Sequence, residues 1–210
     1  MKIAQVAPLI ESVPPRLYGG TERIVSYLTE ELVRLGHDVT LFASGDSVTT
    51  AELAPCCTRA LRLDATVRDS VPHFMLMIDK VRERANEFDV FHFHIDFFHF
   101  PLFRSLAART LTTLHGRQDL ADLKPFYSRF AEMPLVSVST DQRKPLPLAS
   151  YVATIHHGIP PDLHRRSFEQ GSYLAFLGRI SPEKRPDRAI RIARAAGIPL
   201  KIAAKVDKVD

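Results

Sequence analysis

Short apolar runs alternate with longer stretches of helical periodicity along this chain. Lys2–Ala7 is apolar enough to predict a first strand. Thr21–Leu35 then places Ile24, Val25, Leu28, Leu32 and Leu35 on one helical face. Thr21 is the expected N-cap and Gly36 the terminator. Asp38–Ala43 predicts the next strand. Arg68–Phe88 predicts a long helix with a stripe of Val71, Phe74, Met75, Ile78, Val81, Arg82 and Ala85. Phe88–Ile95 and Thr110–Leu114 predict strands, with a shorter helix over Phe100–Ala108 between them. A helix over Asp122–Ala131 and strands at Leu135–Val138 and Tyr151–His156 follow. Apolar strands alternating with helices imply a parallel sheet, buried on both faces. The expected class is α/β, a Rossmann-like parallel sheet with helices on both faces. Its first crossover is right-handed.

The rhythm restarts near Gly171, after a Pro-rich connector over His157–Gly171 that contains Gly158, Pro160, Pro161, Arg165 and Arg166. Tyr173–Leu177 predicts a strand, Glu183–Ala196 a helix and Leu200–Ala204 a strand. Two domains are therefore expected, residues 1–164 and 165–210. The second is an incomplete βαβ unit, because two strands and one helix cannot bury their own surfaces. Its open edge could pair with a second copy, so dimerisation is compatible with it.

Composition narrows the classes. The 210 residues are 45% hydrophobic and 25% charged, which excludes wholesale disorder. The net charge of +4 suits an anionic ligand and is too small for a nucleic-acid footprint. The two cysteines, Cys56 and Cys57, are adjacent, which excludes a disulfide framework and favours a reducing, cytoplasmic compartment. No apolar run approaches the roughly 18 residues of a membrane span. The N-terminus reads as a strand and loop, not a signal peptide.

Four segments carry candidate chemistry. Pro14–Glu22 (PPRLYGGTE) lies between the first strand and first helix, at the carboxyl edge where open α/β sheets bind ligands. Gly19 and Gly20 allow close backbone approach, and the helix N-terminus attracts an anion. The ordinary dinucleotide fingerprint is absent, and only Asp46 could serve as the acidic residue a dehydrogenase needs. In FHFHIDFFHF, His92, His94, Asp96 and His99 invite a metal reading. The residue after Asp96 is Phe97, where metallo-β-lactamase-like hydrolases carry histidine. His115, in TLHG, ends another strand and can donate a hydrogen bond. In LGRISPEKR, Arg179 can clamp phosphate oxygens and Lys184 adds a point charge. Arg188, Arg191 and Arg194 read as a solvated helix face. His156 reads as part of a linker turn, whereas His157 and Gly158 can face the cleft.

Taken in order, APLIESVPPRLYGGTERIVSYLTEELVRLGHDVTLFASGDS, FDVFHFHIDF, TLHG, SVSTDQR, IHHGIPPDLH and LAFLGRISPEKRPDRAI resemble the retaining glycosyltransferases of family 4, which have the two-domain GT-B fold. The resemblance implies transfer of a sugar from a nucleoside-diphosphate sugar to a sugar, lipid or small-molecule acceptor, with retention and without a metal or other cofactor. It implies that Gly19 and Gly20 approach the donor, that Arg179 and Lys184 neutralise the leaving diphosphate, and that His115 contacts the transferred sugar. Tyr18, His92, His94 and Asp96 would lie on the acceptor side. Peripheral membrane contact is compatible with a lipid acceptor. The family's Glu-x7-Glu element has no counterpart here, so a truncated, catalytically weak chain is expected. The alternatives are a metal-dependent hydrolase using His92, His94 and Asp96, and a non-catalytic sugar- or nucleotide-binding module.

Overall fold

The structure is a computed structural model and describes residues 1–164 and 168–205. Arg165 and Arg166, the beginning of the expected second domain, and the terminal residues 206–210 lie outside the described residues. The chain divides into two compact units, Met1–Pro161 and Asp162–Asp210.

The first unit holds strands β1 (Lys2–Val6), β2 (Asp38–Ser44), β3 (Glu52–Cys57), β4 (Val90–Phe93), β5 (Thr110–Leu114), β6 (Leu135–Ser137) and β7 (Tyr151–Thr154). They form one parallel sheet in the order β3-β2-β1-β4-β5-β6-β7. Its helices are α1 (Gly20–Arg34), α2 (Val71–Glu83), α3 (Phe100–Phe103), α4 (Leu123–Arg129) and α5 (Thr140–Arg143). The chain winds outward from β1 in both directions. The sequence order therefore reverses between β1 and β4, the switch point at which open sheets of this kind bind ligands beyond the carboxyl ends of their strands.

The two faces of the sheet differ. Side chains alternate along a strand. Ala4, Val6, Phe42, Phe91, Phe93 and Leu114 point one way, into a core with Phe74, Met77, Ile78 and Val81 of α2 and Phe100 and Phe103 of α3. This core is aromatic. Phe91 and Phe93 each meet Phe103 edge to face, with centroids 5.2 and 4.7 Å apart. On the opposite face Leu41, Ala43 and Ala7 pack with Val25 of α1 in a much smaller cluster. Gln5, in register with Leu41 and His92, shares that second face.

The helices depart from their expected stripes. Helix α1 begins at Gly20 with Gly19 as N-cap, one residue before the expected Thr21 cap, and no side chain caps it. It buries Glu22, Val25, Ser26 and Thr29, while Ile24, Leu28 and Leu32 are half-buried and Leu35 is 58% exposed. The face of α1 turned to the sheet is polar because the sheet beneath it is partly polar. The helix ends in a Schellman arrangement, with Gly36 at φ 83 and bonds from its N–H to Val33 and from the His37 N–H to Leu32. Helix α2 is shorter than expected, with a proline in its first turn, and buries Met77 where Met75 was expected. Strand β3 was not anticipated: Pro55 breaks its pattern, and it is an edge strand, where proline is tolerated.

The second unit contains β8 (Leu174–Arg179) and β9 (Leu200–Lys205), which pair in parallel, and α6 (Pro186–Ala196). The helix expected from Glu183 is interrupted: a short 3₁₀ turn covers Pro182–Lys184, and Arg185 adopts a left-handed φ of 54° before α6 begins.

Candidate functional site

At the carboxyl ends of β1, β4 and β5, on the second face of the sheet, polar side chains replace the aromatic ones. Gln5 is fully buried and His94 is 3% exposed. The strand period puts His92 and His94 side by side, with ring centroids 4.2 Å apart. Gln5 lies between them. Its Oε1 is 2.9 Å from His94 Nε2 and its Nε2 is 3.5 Å from His92 Nδ1. His92 Nε2 lies 2.8 Å from Thr113 Oγ1. His94 Nδ1 is 2.9 Å from His115 Nε2, and His115 Nδ1 is 3.3 Å from His157 Nε2. The result is a hydrogen-bonded column running from Gln5 outward to the exposed His157.

Burial makes the column neutral. It lowers His92 to about 4. It lowers His115 to about 3, helped by the charges that His157 and His92 would carry. His94 sits well below its ordinary value, by burial and by its three histidine neighbours. His157 is lowered more gently, also by burial. At neutral pH the rings are uncharged hydrogen-bonding groups.

At the same carboxyl edge of the sheet, the loop after β1 carries Tyr18, Gly19 and Gly20. Arg62 ties this loop down, with Nη1 2.8 Å from Glu11 Oε1 and 3.5 Å from the Tyr18 carbonyl. Its guanidinium also lies 6.0 Å from the Tyr18 ring centroid. Glu11 is 2% exposed, and its Oε2 has no partner. Glu22, in the first turn of α1, is buried. Burial raises its pKa, and the nearby Glu11 raises it further. The two glycines are not equivalent. A Cβ on Gly19 would lie 2.8 Å from Pro15 Cβ and 2.9 Å from Glu22 Oε2, so the loop's own packing requires glycine there. A Cβ on Gly20 would meet nothing within 4 Å, so the space over the first turn is open.

The metal reading finds no support. Ring nitrogens of His92 and His94 that a metal would need are committed to hydrogen bonds. Asp96, at a positive φ of 51° just past β4, bonds to neither histidine, and burial raises its pKa. The charge of Asp96 bears instead on Tyr127. His99 faces the aromatic core, stacked on Phe93 at 3.6 Å with Nε2 3.0 Å from Thr112 Oγ1. The H-x-H-x-D spacing thus keeps His92 and His94 together, while Asp96 bonds to neither. Among the described residues no group of three His, Cys, Asp or Glu is arranged to hold a metal ion.

In the second unit Arg179 closes β8 and donates to Glu183 Oε1 at 2.9 Å. Lys184 follows in the 3₁₀ turn. Arg188, Arg191 and Arg194 are exposed along α6, as their spacing suggested. Sequence reasoning passed over Gln5, Glu11 and Arg62, and gave Thr113, in the TLHG segment, no role of its own. The only available signal for Gln5 was a polar residue inside an apolar strand.

The family model described as Glycosyltransferase Family 4 matches residues 18–138, more than half of the chain, and this span includes Gly19, His92, His94 and His115. The chain belongs to this family. Among solved structures, AviGT4, a glycosyltransferase involved in avilamycin A biosynthesis, has a TM-score of 0.69 at 20% identity, covering 99% of this chain and 57% of its own. The catalytic domain of starch synthase IV from Arabidopsis thaliana, bound to ADP and acarbose, has a TM-score of 0.61 at 14% identity, covering 98% of this chain and 68% of its own. Sucrose-phosphate synthase from Thermosynechococcus elongatus has a TM-score of 0.54 at 12% identity, covering 98% of this chain and 71% of its own. At these identities the likeness is one of fold, and it establishes the Rossmann-like architecture shared with GT-B glycosyltransferases. The chain spans 57% of the length of AviGT4. A search among curated protein sequences finds no match. No helix among the described residues is long and apolar enough to cross a membrane.

Proposed function

We propose that this chain forms part of a retaining glycosyltransferase that moves a sugar from a nucleoside-diphosphate sugar to an acceptor hydroxyl. The observation that carries the reading is the neutral polar column of Gln5, His92, His94 and His115 at the switch point of the sheet, with the open first turn of α1 at the same carboxyl edge. Sugars are uncharged and rich in hydroxyls. Neutral imidazoles at the mouth of a cleft suit them better than charged ones. In transfer, the bond from the anomeric carbon to the diphosphate breaks, and a bond to the acceptor oxygen forms. Negative charge builds on the departing phosphate, and fixed cations lower that barrier.

In this reading Arg179 and Lys184 neutralise the diphosphate, and Arg179 exchanges its bond to Glu183 for the phosphate oxygens. Gly19 shapes the loop, and Gly20 leaves room for the donor to approach α1. His115 stands at the transferred sugar and meets its hydroxyl through His157, to which its Nδ1 is bonded. Tyr18, His92, His94 and Asp96 belong to the acceptor side, His92 and His94 by supporting the wall from behind. With conjugate acids near 4 and 3, His92 and His115 are weak bases, and neither is given the acceptor's proton. The side-chain cations supply the charge that a metal would otherwise provide, so no cofactor is invoked. Free thiols at Cys56 and Cys57 support a cytoplasmic setting.

The test is transfer from a panel of nucleoside-diphosphate sugars to candidate acceptors, followed by NMR of the product's anomeric centre. It applies to the protein of which this chain forms part. Acceptor-dependent release of the nucleoside diphosphate with an unchanged anomeric configuration is expected. An inverted product would overturn the retaining assignment, and absence of transfer across the panel would overturn the activity.

A further inference from the structure

A neutral imidazole has one N–H and one lone pair, so in a chain of rings each bond fixes the next. The structure assigns the Gln5 amide with its oxygen toward His94 Nε2, at 2.9 Å, and its nitrogen toward His92 Nδ1, at 3.5 Å. An amide oxygen only accepts, so His94 carries its proton on Nε2. Its Nδ1 is then a lone pair, and His115 Nε2 must donate to it across 2.9 Å. His115 Nδ1 is in turn a lone pair, and His157 Nε2 donates to it across 3.3 Å. On the other arm the Gln5 amide nitrogen donates to His92 Nδ1, so His92 Nε2 donates to Thr113 Oγ1 across 2.8 Å. On the arm through His157, His115 and His94 every donor points inward, toward the Gln5 carbonyl oxygen at its buried end, and on the arm through His92 every donor points away from Gln5.

We propose that Gln5 is a positioning residue that sets the tautomers of His94, His115 and His157, so that the column ends outward in an acceptor, His157 Nδ1. A column built the other way, with the amide reversed, would put a donor at the same place. The two polarities select opposite ligand groups. An outward lone pair takes a hydroxyl or ammonium hydrogen and turns away carboxylate and phosphate oxygens. In the glycosyltransferase reading, on which only this last step rests, the group met there is a sugar hydroxyl acting as donor. The tautomer pattern itself stands or falls without that reading.

The experiment is long-range ¹H–¹⁵N correlation on the chain labelled at its histidine rings, at neutral pH and without ligand. The expected spectrum shows His92, His94, His115 and His157 protonated on Nε2. Protonation of His115 or His157 on Nδ1 would overturn the proposal. Gln5→Glu keeps an acceptor for His94 but has no N–H for His92. It should leave His94, His115 and His157 unchanged and protonate His92 on Nδ1. An unaltered His92 would count against Gln5 as the anchor. Gln5→Leu should mix the tautomers of His94 and His115, and a folded Gln5→Leu with the wild-type pattern would also refute the anchor. His157→Ala should leave His94 as it is. A switch of His94 in that variant would mean that polarity is set from the outer end.

Discussion

The two faces of the seven-stranded sheet are built from the same strands and solve different problems. On one face Phe42, Phe91 and Phe93 alternate into an aromatic core with Phe103 and the apolar side of α2. On the other, the intervening positions of the same strands carry Gln5, His92 and Thr113, which bond to one another. One residue step along β4 separates a ring that stabilises by burial from a ring that must find a partner for each nitrogen. Apolar burial and the hydrogen bonding of buried polar groups are thereby divided between faces, and changes to either should have separable consequences.

The largest effect should come from the apolar face. Phe93→Ala removes a fully buried ring that contacts Phe103 and His99, and should cost about 3–5 kcal/mol in urea unfolding. A loss below about 1 kcal/mol would mean that this face is not the main core.

The polar face should respond to acid. His92 and His115 titrate near 4 and 3 in the folded chain and near 6.5 when unfolded. Between about pH 4 and 6.5 the unfolded chain therefore binds more protons. Stability is full above this window and falls as pH drops through it, by up to about 1.4 kcal/mol per pH unit for each ring. Urea midpoints at about pH 7.5 and 5.5 check the sign, and a flat profile would contradict the burial of these rings.

Thr113→Val keeps the shape of β5 but takes the hydroxyl partner from His92 Nε2, at 2.8 Å. A cost of about 1–3 kcal/mol is expected, because a buried N–H is left unpaired. A smaller contrast separates the glycines. Gly20→Ala should stay within about 0.5 kcal/mol of wild type, since its Cβ would meet open space, whereas Gly19→Ala forces Pro15 or Glu22 aside and should cost about 1–3 kcal/mol. Equal behaviour of the two variants would remove the reason given for glycine at position 19.

Much of the sheet was legible because buried parallel strands are short apolar runs bounded by helices, and β1, β2, β5 and β6 fit that description. Strand β3 was not, since an edge strand can carry Pro55 and two half-buried cysteines without an apolar pattern. The stripe of α1 was misread toward Leu35 because periodicity assumes an apolar surface beneath the helix. In the site, His115 stood out as a polar residue ending an apolar strand. Gln5 could not, because its partners His92 and His94 lie 87 and 89 positions away. The metal reading grouped Asp96 with the histidines by spacing, and past β4 it takes a positive φ and bonds to neither of them.

We propose that a sugar is handled on the histidine face, at the carboxyl ends of the strands. The opposite edge offers a competitor, a polar hollow of about 550 Å³ lined by Lys2, Asp38, Glu52, Arg84, Glu87 and Arg109. Histidine-ring and backbone shift mapping during titration with nucleoside-diphosphate sugars decides between them. With the sugar on the histidine face, shifts are expected at His115, His157 and the Gly20 amide, with His99 and Arg84 unmoved. Shifts centred on Lys2, Arg84 and Arg109, with His115 unchanged, would contradict it.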